Sequence, residues 1–183
     1  PARFSGRDDA GLIPGDNAST VGAPALAPGV IAVASYATRA SWIDRQGEEQ
    51  FHEETTPGDI SFFSSRGPTA APRLTGHKPW IAAPGEFIVA ALSAHSGELQ
   101  PGTRIDEHHI AMRGTSMACP HAAGVVALLL QVDPELDPAG VRSLLAASAR
   151  TDPRTGSGLP DFTWGHGKLD AYEAVARAMG VGG

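Results

Sequence analysis

Cysteine is almost absent from this sequence, and basic residues are scarce. The only cysteine, Cys119, excludes a disulfide bond within the chain. There are 14 Lys and Arg residues against 20 Asp and Glu, which gives a net charge of −6, and no run of basic residues interrupts this balance. We therefore expect no nucleic-acid partner. No apolar stretch reaches the length of a membrane span, so no membrane partner is expected either.

The composition is that of a folded domain rich in loops. The 183 residues are 42% apolar and could build the core of one domain. Only 19% are charged, and 22 Gly and 15 Pro indicate many turns and the packing of small side chains.

The most informative segment is G-T-S-M-A-C-P-H, residues 114–121, which precedes the uncharged run 122–131. The run predicts a buried helix, and Ser116 lies at the N-terminal end of that helix. There, unpaired N–H groups and the helix dipole stabilise negative charge, as an acyl-transfer nucleophile and its oxyanion require. The simpler interpretation is that Thr115 or Ser116 only caps the helix. We expect Cys119 to be a small buried thiol and Gly124 to allow close packing against a strand.

Four further segments occur in a fixed order with this one: V-G-A-P with P-G-V-I-A-V-A (21–34), S-F-F-S-S-R-G-P-T (61–69), K-P-W-I-A-A-P-G (78–85) and W-G-H-G-K-L-D-A (164–171). Together with the serine segment they resemble the conserved blocks of subtilisin-like serine peptidases, the subtilase family. The resemblance covers residues 20 to 178. Trp80 stands where the family pattern has Asp.

The resemblance implies a serine endopeptidase that hydrolyses polypeptides with a Ser-His-Asp triad. Ser116 would be the nucleophile and its backbone N–H one oxyanion donor, with Thr115 and Met117 beside it at the cleft. Arg113, just before the motif, is expected to be a solvated charge at the cleft rim, with a specificity determinant as the alternative. The resemblance also suggests a secreted or extracytoplasmic protein. The alternative is a non-catalytic subtilase-like module that keeps the motif for packing or peptide binding.

The partners of the nucleophile are missing from this sequence. No histidine precedes Gly-Thr, and no aspartate lies in D-T-G or D-S-G. His121 belongs to the serine segment itself, and the pair His108-His109 is better explained by strand pairing and solvent exposure. Asn17, the only asparagine, is predicted to be a turn residue and not the oxyanion donor. We therefore expect the His, Asp and Asn upstream of Pro1.

On this interpretation the chain supplies only the serine and is inactive alone. Its expected partner is the N-terminal part of the same catalytic domain.

The pattern of elements predicts an α/β fold with a mostly parallel sheet. The resemblance makes it the C-terminal part of a doubly wound, subtilisin-like sheet with flanking helices. We expect one partial catalytic domain over 1–183: an irregular loop (1–20), strands and loops (21–112), then the nucleophile helix and C-terminal helices (113–183). Strands are predicted at 30–36, 60–63, 80–83, 87–92 and 109–112, with a solvated excursion or an edge hairpin in 42–58. Helices are predicted at 116–131, from Pro138 to about Ala149 with Asp137 as the cap, and at 171–179.

No cofactor is required by these patterns. Asp8, Asp9 and Asp16 cluster near the start of the chain, and a structural calcium ion could bind there because hard cations prefer oxygen ligands.

Overall fold

The computed structural model describes residues 17–71, 73, 76–97 and 99–182. Within them lie six strands and three helices. The strands are β1 (Val33–Ala37), β2 (Ser41–Ile43), β3 (Glu49–Phe51), β4 (Ile81–Glu86), β5 (Ile88–Ala91) and β6 (His109–Met112). The helices are α1 (Thr115–Val132), α2 (Pro138–Ala147) and α3 (Ala171–Ala178).

Strands β1 and β4 form a parallel pair in which Val33 faces Ile81 and Tyr36 faces Pro84. Most of their side chains are buried, as expected where a parallel pair is covered on its faces. Helix α1 packs on both strands. The other pairs, β2 with β3 and β5 with β6, are antiparallel. The fold is α/β, with the parallel pair at its centre.

The core lies where the helices meet β4. Ile81 packs there with Val125 and Leu129 of α1, Val141 and Leu145 of α2, and Ala174 of α3. The caps predicted from sequence hold α2 in place, because the Asp137 carboxylate accepts from the Gly140 N–H and Pro138 follows in the first turn. Helix α2 ends at Ala147, two residues before the predicted end.

The strand predicted at 60–63 is wrong. Ile60 makes only a single bridge with Tyr36, and the chain then turns. The turn forms because the buried side chains of Ser61 and Ser64 bond to Ser35 of β1, to its Oγ at 2.9 Å and its N–H at 3.0 Å respectively. These side-chain bonds replace the ladder that a strand would need.

Helix α1 differs most from expectation. Only Ala118, Ala122, Val125 and Leu129 are buried, while Leu128 is 46% exposed. A Cβ on Gly124 would meet nothing within 4 Å, so the predicted close packing at this glycine is wrong. By length and composition alone α1 could cross a membrane, contrary to the expectation that no stretch is long enough. Its packing on the parallel pair accounts for the apolar residues of one face only.

The proposed calcium ligands Asp8, Asp9 and Asp16 lie outside the described residues. Among the residues that are described, no group of three His, Cys, Asp or Glu side chains is arranged to hold a metal ion. A calcium site near the start of the chain therefore stays a prediction.

Candidate active site

Ser116 is exposed in the first turn of α1, which begins at Thr115 directly after Gly114. Gly114 is the N-cap, with φ of 151°, a conformation that favours glycine. The capping position therefore belongs to Gly114, and neither Thr115 nor Ser116 occupies it. Because the first N–H groups of a helix lack intrahelical acceptors, the Ser116 hydroxyl is next to free donors and the positive end of the helix dipole.

The turn before Ser116 is supported from below by Gly85, the last residue of the A-P-G sequence. Gly114 donates its N–H to the Gly85 carbonyl at 2.8 Å. A Cβ on Gly85 would lie 2.4 Å from the Ser35 Oγ and 2.8 Å from the Gly114 carbonyl oxygen. Because Gly85 has no side chain, the turn before Ser116 packs directly against the backbone of β4 at this residue.

A cavity of about 750 Å³ opens beside Ser116. It is lined by Thr115, Ser116, Cys119, Pro120 and Ala123 from α1, and by residues 21–25, 30–33, 65 and 79. The wall opposite α1 is apolar, since it consists mainly of Val, Ile, Ala and Pro. Cys119 is exposed because it faces this cavity, so the prediction of a buried thiol is wrong.

Two cations hold the chain segment that forms the far wall. The buried Lys78 ammonium donates to the Ala27 and Val30 carbonyls, and the Arg142 guanidinium donates to the Gly29 carbonyl at 2.9 Å. Burial, with a smaller contribution from Arg142, lowers the pKa of Lys78. The turn at 27–30 is thereby tied both to the start of β4 and to α2.

Met117 lies on the other side of Ser116. It lines a groove of about 250 Å³ together with Ile88 and Ala90 of β5 and with Pro120 and His121. Thr115 and Met117 thus border two different depressions that flank Ser116. Their roles at a substrate cleft stay predictions.

No histidine in the described part of the chain hydrogen-bonds to Ser116. The His121 Nδ1 bonds to the Met117 carbonyl at 2.9 Å, within its own helix. His109 bonds to the Asp106 carboxylate in an exposed turn. Asn17 lies at a bend directly before the turn at 18–19, as predicted for a turn residue, and its amide donates to the Phe62 carbonyl. The described residues therefore place no hydrogen-bonded base beside Ser116.

Trp80, which stands where the family pattern has Asp, packs between two elements. Its indole Nε1–H donates to the Arg142 carbonyl at 3.1 Å, and its ring lies 4.4 Å from the ring of His166. The Arg142 guanidinium lies over the indole at 5.9 Å. Position 80 therefore contributes ring contacts and one N–H donor in this protein.

Sequence reasoning missed the surroundings of Arg113. Its guanidinium is not simply solvated, because it lies 5.5 Å from the Phe62 ring and 5.7 Å from the Phe87 ring. Its Nη1 donates to the His52 Nε2 at 2.7 Å. His52 is 61 residues away in sequence, and no local pattern signals this contact.

An α/β fold that presents a serine at the start of a helix, beside a cleft, has the arrangement used for acyl transfer. A family model described as the subtilase family matches residues 10–182. The chain belongs to the subtilase family.

Curated relatives agree. Serine protease AprX of Bacillus subtilis is 35% identical over 133 residues, which are 72% of this chain and 27% of that protein. Subtilisin-like protease SBT1.7 of Arabidopsis thaliana is 40% identical over 109 residues, 58% of this chain and 14% of that protein. The chain therefore spans about a quarter or less of the length of these relatives.

Solved structures show the same fold. The CspB protease of Clostridium perfringens matches with a TM-score of 0.62 at 25% identity, over 88% of this chain and 29% of that chain. The prenylagaramide maturation protease PagA matches with a TM-score of 0.57 at 26% identity, over 89% of this chain and 47% of that chain. The described elements are thus part of a subtilisin-like α/β fold.

Proposed function

We propose that this chain is the serine-bearing part of a serine endopeptidase and that Ser116 is its nucleophile. The observation that carries the proposal is the exposure of Ser116 in the first turn of α1, between two depressions and above the Gly85 surface. A serine that served only to cap the helix would occupy the position that Gly114 holds.

In the proposed reaction, the Ser116 Oγ attacks the carbonyl carbon of the scissile peptide bond and its proton passes to a base. Negative charge then develops on the carbonyl oxygen. The free N–H groups and the dipole at the start of α1 stabilise this charge without reorganising. Collapse of the tetrahedral intermediate expels the amine, and water later hydrolyses the acyl-enzyme.

The substrate we propose is a polypeptide, part of which enters the cavity beside Ser116. The apolar wall formed by residues 21–25 and 30–33 favours an apolar side chain there. The backbone of this wall is held by Lys78 and Arg142, so the cavity is largely formed before substrate arrives.

The base, its carboxylate partner and the second oxyanion donor would come from an N-terminal segment of the same protein. This sequence contains no H-G-T, D-T-G or D-S-G, and relatives are several times longer than the aligned region. The outer face of α1, with Leu128 and Leu130 exposed, offers an apolar surface for that segment. In subtilisin, loss of the triad histidine lowers turnover by about 10⁶-fold, so we expect the isolated chain to have negligible activity.

A fluorophosphonate probe, which reacts only with an activated serine, tests the proposal directly. The chain alone and the full-length protein are labelled in parallel, each with Ser116→Ala as the control. We expect labelling of the full-length protein only, and its loss in Ser116→Ala. If the full-length protein is not labelled, the motif is structural and the non-catalytic module is the better description.

A further inference from the structure

Arg113 differs from Arg45 and Arg154 in what neutralises it. Arg45 pairs with Glu107 at 2.7 Å, and Arg154 pairs with Asp59 at 2.9 Å. Arg113 forms no ion pair within the described part of the chain, where its guanidinium contacts an imidazole nitrogen and two aromatic rings. It is exposed, and a guanidinium carries five N–H donors, of which His52 takes one.

A chain of hydrogen bonds fixes the position of this cation. The Arg113 guanidinium can only donate, so the His52 Nε2 must accept and the ring proton is assigned to Nδ1. The His52 Nδ1 lies 2.9 Å from the Thr55 Oγ1, which in turn donates to the Glu86 Oε1 at 2.7 Å. Each of these three hydrogen bonds therefore joins one donor to one acceptor.

Glu86 is the buried end of this series of hydrogen bonds. It is 1% exposed at the end of β4, directly after Gly85. The carboxylate cannot move without breaking its bond to Thr55, and the Phe62 and Phe87 rings restrict the guanidinium from the sides. Arg113 is therefore a long, flexible side chain that has been ordered in advance, which lowers the entropy cost of binding an anion.

Arg113 also lies within reach of a bound substrate. It lies three positions before Ser116 in the sequence, so their Cα atoms are at most about 11 Å apart. An extended peptide advances about 3.3 Å per residue. A substrate side chain within about three residues of the scissile bond can thus approach the guanidinium.

We propose that Arg113 is a specificity-determining residue that binds a carboxylate of the polypeptide substrate, and that His52, Thr55 and Glu86 are the positioning residues that hold it. The inference rests on the proposed endopeptidase function. A fixed guanidinium that has free donors and, among the residues described, no counter-ion matches a carboxylate in both charge and geometry.

The test compares peptide substrates that differ only by Glu against Gln, at each of three positions on either side of the scissile bond, cleaved by the full-length enzyme. We expect one position to favour Glu by about tenfold in kcat/KM, the effect of one charge-assisted hydrogen bond. The preference should be expressed mainly in KM, since the contact forms in ground state and transition state alike.

Variants of the enzyme then locate the effect. Arg113→Gln should remove the preference for Glu, and Arg113→Lys should keep part of it. Thr55→Val interrupts the chain to Glu86 and should lower the preference while kcat for the Gln peptide changes little. Arg45→Gln, at an arginine already paired with a carboxylate, should leave the preference unchanged.

The outcomes separate this inference from the proposed function. If peptides are cleaved and fluorophosphonate labels Ser116, but no position favours Glu or Arg113→Gln leaves the preference intact, the inference alone is overturned. If no peptide is cleaved and Ser116 is not labelled, both fall together. Because Arg113→Gln changes an exposed side chain, it remains informative even if Thr55→Val fails to fold.

Discussion

Gly114 donates its N–H to the carbonyl of Gly85 at 2.8 Å, and this bond joins the serine turn to the end of the central parallel pair. The two backbones approach so closely that a Cβ on Gly85 would lie within 3.0 Å of Ala118 as well. The position of Ser116 relative to the β1–β4 pair therefore depends on Gly85, which lies 31 positions earlier in the sequence and carries no side chain.

Gly85→Ala should disturb the turn that carries Ser116 first. The added methyl would overlap the Ser35 Oγ and the Gly114 carbonyl, and overpacking of this kind costs about 1–3 kcal/mol. We expect the free energy of unfolding to fall by that amount and fluorophosphonate labelling of Ser116 in the full-length protein to slow. Urea denaturation and labelling rates measure the two effects.

Gly124→Ala is the matched control, since it adds the same methyl within α1 itself. Nothing lies within 4 Å of the new Cβ, and alanine is favoured over glycine in a helix by about 1 kcal/mol. We expect equal or greater stability and unchanged labelling. Equal losses in the two variants would show that the contact between Gly85 and Gly114 has no special role.

The ion pair of Lys168 and Asp152 should make the stability of the protein depend on pH in the acidic range. The Lys168 Nζ lies 2.6 Å from the Asp152 carboxylate, and the lysine side chain is 2% exposed against 29% for the aspartate. The bond to Lys168 is the main cause that lowers the pKa of Asp152 below 3.8. This contribution is complete above pH 3.8 and is lost as the pH falls through the lowered pKa.

Asp152→Asn should therefore destabilise the protein by about 3 kcal/mol at neutral pH, because it leaves a buried ammonium without its counter-charge. Urea denaturation at several pH values should show the difference from the native sequence shrinking under acid conditions. A difference that stays constant with pH would mean that the charge of Asp152 is not what stabilises this region.

His166 should produce a second pH dependence. Burial, with a smaller contribution from His77, lowers the pKa of His166 below 6.5. Between that lowered pKa and 6.5 the unfolded chain binds more protons than the folded chain, so stability decreases as the pH falls through this window. His166→Gln should flatten this part of the curve of unfolding free energy against pH.

A histidine elsewhere provides the comparison. His95→Gln removes an exposed imidazole and should leave the slope near pH 6 as it is. If His166→Gln and the native sequence have the same slope, protonation of His166 does not control stability in this range.

The exposed face of α1 should cause association of the chain when it is alone. Leu128 is 46% exposed and Leu130 is 39% exposed, and apolar surface of this kind is usually covered in a folded protein. We expect light scattering to show self-association that weakens in the double variant Leu128→Gln with Leu130→Gln. A native chain that remains monomeric as its concentration rises would contradict this.

Local chemistry made some elements predictable. The cap formed by Asp137 and Pro138 predicts the start of α2, and the glycine before Thr115 predicts that a helix begins there, because these features act within one turn. Burial was less predictable. An uncharged apolar run indicates that α1 can be covered on all sides, yet in the described residues one face remains open.

The sequence by itself determined the family, the nucleophile candidate and the positions of the three described helices, because these follow from short segments whose residues act on their neighbours. The tertiary structure decided which distant residues meet. Gly85 lies under Gly114, Cys119 faces a cavity, and Arg113 rests on His52. Such contacts depend on how the chain packs between the segments, and no local preference of the residues involved encodes them.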